Sequence, residues 1–151
     1  MELHELIRLA GETNEKNGYN GYAKAHEDGY GIDYLAKKDL LEVSELTEAL
    51  DELRAGHSPA EVYLSWPDTP SSLIAEMGVA EAEALYRDST PGKPEGYIIE
   101  KLDAIIRSMG TLYEVADTYD LDLEEVAGHL IKKIEYNAQR ADTAASGIKK
   151  F

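Results

Sequence analysis

The chain has 151 residues, 43% hydrophobic and 30% charged, a globular composition with length enough to bury a substantial core. Its 15 Lys+Arg against 30 Asp+Glu leave a net charge of −15, which argues against a nucleic-acid binder, whose footprint is a basic patch. The absence of cysteine excludes disulfides, thiolate metal sites, iron–sulfur clusters and cysteine nucleophiles. Met1-Glu-Leu-His4 has neither the basic start nor the apolar run of a leader. No stretch approaches about 18 consecutive apolar residues, so neither a membrane nor a secreted location is expected, and a cytoplasmic one is.

Helical periodicity dominates in chain order. Leu3, Leu6, Ile7 and Ala10 share one face of a first helix that stops near Asn17-Gly18. Residues 17–34, rich in Gly and Tyr, read as a loop with one short helical turn around Ala23–Glu27. A helix is expected from about Asp33 to Arg54. All five prolines fall within 55–97, between which Ser71–Arg87 has a helical pattern capped by Ser71 or Ser72. A further helix spans about Tyr97–Tyr119. Asp122, with Glu125 three residues on, opens a last one to about Arg140. The tail 141–151 is expected to be partly mobile. No run alternates as a strand and there is no repeat. The class is all-α, four to six helices in one domain, 1–151, with a long insertion at about 55–97.

Two helices carry carboxylates where leucines would be expected. On the 33–54 helix, Glu42 falls inside the arc of Leu35, Leu46, Leu50 and Leu53, and Glu45 falls at its border. Glu48 and Glu52 continue outward from that border. On the 97–119 helix, Asp103 lies just beyond the arc of Ile98, Leu102, Ile105 and Leu112, with Glu100 further out. Carboxylates at i and i+3 repel, and within a buried arc they are costly without a cation or hydrogen bonds. A hard divalent ion with oxygen ligands relieves both costs if the two helices pack. The plain alternative is a solvated glutamate face. On the last helix, Lys133, Asn137 and Arg140 share a stripe that could donate to phosphate oxygens, or simply pair with surface carboxylates.

Leu41-Glu-Val-Ser-Glu-Leu-Thr-Glu-Ala-Leu50, Pro94-Glu-Gly-Tyr-Ile-Ile-Glu-Lys-Leu-Asp-Ala-Ile-Ile-Arg107 and Lys133-Ile-Glu-Tyr-Asn-Ala-Gln-Arg140 resemble the MazG-like nucleoside triphosphate pyrophosphohydrolases, an all-α superfamily. The resemblance covers roughly 35–54 and 94–151. The family signature, E-x-x-E followed by E-x-x-D on two packed helices, would fall on Glu42, Glu45, Glu100 and Asp103. The spacer 46–99 is longer than in compact members, and Lys101-Leu102 replaces the commoner Leu-Ala. The resemblance implies Mg²⁺-dependent, or Mn²⁺-dependent, hydrolysis of an NTP or dNTP to the monophosphate and pyrophosphate. It implies Glu42, Glu45, Glu100 and Asp103 as metal ligands, Glu45 as the base, and Lys133, Asn137 and Arg140 on the substrate. A homodimer completing the helical bundle is implied as well. The competing expectation, from charge alone, is a non-catalytic acidic module such as a DNA mimic.

Overall fold

The computed structural model describes residues 1–144. Seven helices and one two-stranded ribbon are found among them: α1 (Leu3–Lys16), α2 (Tyr22–Glu27), α3 (Gly31–Arg54), β1 (Tyr63–Ser65), α4 (Ser71–Met77), α5 (Val79–Ser89), β2 (Lys93–Glu95), α6 (Tyr97–Thr118) and α7 (Leu123–Ala144). The all-α class stands. No helix among the described residues is long and apolar enough to cross a membrane. The expected tail now begins within α7, which runs four residues past Arg140; residues 145–151 lie outside the described residues.

Two sequence expectations are corrected. The 71–87 helix is two helices, because Gly78 takes φ 85, a left-handed conformation that ends α4 and starts α5. Pro70, not a serine, precedes α4 at its N-cap. Strands also exist: β1 pairs antiparallel with β2 in the register Tyr63↔Glu95, Leu64↔Pro94 and Ser65↔Lys93. Three residues are too few to show alternation, and Pro94 sits where only an edge tolerates it.

The chain resolves into two compact units. The first comprises Met1–Glu42 with Ile105–Phe151. Here α1 packs on α7, and Ile7, Ala10 and Ala116 are buried. Gly11 of α1 meets the Tyr113 ring of α6, and Gly110 of α6 meets the Asn14 amide, so these helices approach closely. The Gly/Tyr segment is pinned rather than loose. The buried Glu114 carboxylate accepts from Tyr22 N–H at 3.1 Å and from the Tyr34 hydroxyl at 2.8 Å, while Gly21 N–H donates to that same hydroxyl at 3.0 Å. Tyr22 and Tyr34 thus serve the packing of this unit. On α7 only the first turns pack; every residue from His129 to Arg140 is exposed, Leu130, Ile131 and Ile134 included.

The second unit, Val43–Ala104, holds the ribbon, α4, α5, the C-terminal part of α3 and the first turns of α6. Ala49 and Ala82 are buried in it. Gly96 turns the chain from β2 into α6 at φ 133, against the Glu61 carbonyl where a Cβ would overlap, and its own carbonyl accepts Glu100 N–H at 3.0 Å. This junction sets where the first carboxylate of α6 points.

Candidate metal centre

The faces of α3 and α6 are the reverse of the amphipathic reading. On α3 the buried positions are Gly31, Glu45 and Ala49, while Val43, Leu46 and Leu50 are exposed. On α6 the buried positions include Glu100, Ala104, Gly110 and Glu114, while Ile98, Leu102, Ile105, Ile106 and Leu112 are exposed. Periodicity reports which residues share a face but not which way the face points.

Glu45 and Glu100 are only 5% and 6% exposed, and with half-buried Asp103 they place one carboxylate oxygen each within 4.8 Å of one another. Exposed Glu48, one turn beyond Glu45, is near enough to act on the Glu100 carboxyl as Glu45 does. Burial, the hydrogen bond and charge of Glu48, and then those of Glu45, push the Glu100 carboxyl up to about 7. Such a rise is what crowded, desolvated carboxylates produce when no cation offsets them. Every donor is a carboxylate oxygen, the set that suits a hard ion. Two oxygens on one such ion lie at most roughly 4 Å apart for Mg²⁺ and roughly 5 Å for Ca²⁺, so oxygens within 4.8 Å of one another need only a small closing movement to hold the smaller ion. The residues fit a divalent cation.

Three of the four expected ligands therefore come together. Glu42 belongs to the other unit, where the Ser108 hydroxyl donates to it at 2.8 Å. Sequence reasoning missed Glu48. The signal was present, because Glu42, Glu45 and Glu48 repeat at every third position and give two overlapping E-x-x-E pairs. It also missed Lys93, whose ammonium lies 3.5 Å from the Glu95 carboxylate. Glu95 first, then Glu100 and Glu48, hold the Lys93 pKa above its usual value, so a cation from β2 stands within reach of the cluster's field.

One turn further along α3, half-buried Glu52 accepts the Tyr63 hydroxyl at 2.8 Å. His57 stacks on the Tyr63 ring with centroids 4.7 Å apart, and its Nδ1 sits 2.7 Å from Glu61. These contacts tie the end of α3 to β1 and fix the ribbon beside the carboxylates. The expected substrate residues Lys133, Asn137 and Arg140 are all exposed on α7 in the first unit, with the Lys133 ammonium 5.1 Å from the Tyr136 ring centroid. No protein family, curated protein or solved structure matches the chain.

Proposed function

We propose that this chain is a nucleoside triphosphate pyrophosphohydrolase of MazG-like type that holds its divalent cation with Glu45, Glu48, Glu100 and Asp103. The observation carrying this reading is the convergence of buried Glu45 and Glu100 with half-buried Asp103 from two helices, with the Glu100 carboxyl raised to about 7. An acidic interaction module would instead display its carboxylates on a solvated face, whereas Glu45 and Glu100 are 5% and 6% exposed. The protein's charge of −15 would repel a triphosphate, so a polyanionic substrate needs the cation as a bridge.

Mg²⁺ or Mn²⁺ bound here supplies Lewis acidity toward phosphate oxygens and toward the attacking water. The protein's own part is positional. Glu45 takes the proton of the water as its oxygen bonds to phosphorus. The bridging P–O bond breaks, and pyrophosphate and the nucleoside monophosphate separate in one step. Glu48 and Glu100 keep the pair of helices charge-matched to the cation, and burial keeps bulk water from competing. Lys133, Asn137 and Arg140 form a separate proposal for phosphate contact, supported by their shared exposed stripe. Arg140→Ala tests it through KM, independently of the carboxylates.

The exposed apolar faces of α3, α6 and the outer half of α7 support a second copy of the chain as their cover. The deciding assay is pyrophosphate release from each NTP and dNTP with Mg²⁺. Pyrophosphate and monophosphate should appear together, vanish with excess chelator, and fall at least about 100-fold in Glu45→Gln and Glu48→Gln, while Glu42→Gln retains most turnover. Undiminished turnover in chelator, or none from any nucleotide, overturns the reading. A Glu42→Gln loss equal to that of Glu45→Gln, with Glu48→Gln near wild type, would return the pair to 42 and 45.

A further inference from the structure

The 55–97 segment is more than a spacer. Within it, Trp66, Asp68, Thr69, Glu83, Tyr86 and Arg87 line a cavity of about 130 Å³. By volume this is room for about four waters, or the edge of one planar ring. Trp66 is fixed in place as its floor. Its Nε1–H donates to the Thr90 carbonyl at 2.8 Å, and the Arg87 guanidinium lies 5.2 Å from its ring centroid. Gly92 is pressed against the ring, where an added Cβ would come within 2.8 Å of Cζ2. The indole is thus sandwiched already and offers no open platform for stacking.

What the cleft offers instead is hydrogen-bonding capacity. Among the described residues, the side chains of Asp68, Thr69, Glu83 and Tyr86 take no internal hydrogen bond or ion pair, and Arg87 has its contact with Trp66 alone. The guanidinium over the indole shares the cleft with two carboxylates that do not pair with it. A guanidinium donor and carboxylate acceptors lining one cleft complement a planar ring that presents both a carbonyl and an amino group on one edge. Guanine and cytosine have that edge; Arg matches the guanine carbonyl side, and Asp or Glu accepts from the cytosine amine. Adenine lacks the carbonyl and uracil lacks the amine.

The ribbon links this cleft to the carboxylate cluster inside the same unit. Trp66 follows Ser65 directly, and Ser65 pairs with Lys93, which lies in the field of Glu48 and Glu100.

We infer that the cleft of Trp66, Asp68, Glu83 and Arg87 is the base-recognition subsite of this enzyme and selects a base bearing a carbonyl and an amino group on the same edge, guanine or cytosine. The inference rests on the hydrolase reading for the presence of a nucleotide, but its test does not require turnover. Trp66 is the only tryptophan, so its emission reports on the cleft directly. With chelator present, the full chain is titrated with guanosine, cytidine, adenosine, uridine and, separately, pyrophosphate. Guanosine or cytidine should give a saturable change in emission at concentrations at least tenfold below those needed for adenosine and uridine, and pyrophosphate should give none. Arg87→Ala and Asp68→Asn should each weaken that response about tenfold or more, with the thermal shift produced by Mg²⁺ unchanged. Equal responses to all four nucleosides, a response to pyrophosphate, no saturable response, or an unaffected Arg87→Ala protein would each overturn the subsite. If guanosine or cytidine binds while no triphosphate is hydrolysed, the hydrolase reading fails and the cleft stands. If all triphosphates are hydrolysed alike, in Arg87→Ala as in wild type, the hydrolase reading stands and the cleft falls.

Discussion

Glu100 concentrates the cost of the cluster in one side chain. Its carboxyl, pushed up to about 7 by burial and by Glu48 and Glu45, binds a proton more tightly in the folded chain than in the unfolded one. The sign follows: the stabilising contribution of this group is complete below its ordinary value near 4.5 and is lost as pH rises through about 7. The ion-free protein should therefore melt several degrees lower at pH 8 than at pH 5.5, and Glu100→Gln should flatten that slope. Mg²⁺ should restore most of the difference at pH 8, since a ligand of the native state stabilises it. Melting curves at the two pH values, with chelator and with Mg²⁺, check all three statements. A slope unchanged in Glu100→Gln would assign it to general repulsion within the chain of charge −15.

Helix packing turns on glycines as much as on leucines. Gly11 lets α1 lie against the Tyr113 ring of α6, with no room for a methyl group. Gly11→Ala should cost about 1–3 kcal/mol in urea unfolding through overpacking. Gly128 on α7 has nothing near it, so Gly128→Ala should be neutral or stabilise by up to about 1 kcal/mol through helix propensity. The elements themselves were legible. Caps, turn glycines and periodicity located α1, α3, α6 and α7 within a few residues, and Asp122 does cap α7, accepting Glu124 N–H at 2.9 Å. Their orientation was not legible, because the Leu46–Leu50 face of α3 obeys helical spacing whether it meets its own chain or another. The carboxylate pairs on α3 and α6 were recognisable as a site for the opposite reason to the one that drew attention to them. Glu45 and Glu100 line the buried face itself, not the margin of an apolar one. Glu48 escaped because a wheel places it beside solvent, where it does stand, and only its approach to Glu100 ties it to the cluster.

At the scale of the whole molecule, apolar side chains on α3, α6 and α7, in each of the two units, remain in contact with water, and a soluble monomer rarely leaves large apolar patches so. A second copy removes that cost, and light scattering after gel filtration should give a mass twice the chain's 16.7 kDa. Ile134→Asp combined with Leu130→Asp should shift the species toward the monomer; a wild-type monomer at micromolar concentration would remove the second copy from the proposal. The placement of Trp66 has a consequence of another kind. As the sole tryptophan it lies in the Val43–Ala104 unit, while Tyr22, Tyr34, Tyr113 and Tyr119 lie in the other. Tryptophan emission thus reports on the Val43–Ala104 unit alone during denaturation, while tyrosine emission reports mainly on the other, which holds all the tyrosines but Tyr63, Tyr86 and Tyr97. Coincident transitions would mean that the two halves lose order as a single cooperative event, and separated ones that the half carrying the carboxylates can melt while the other remains intact.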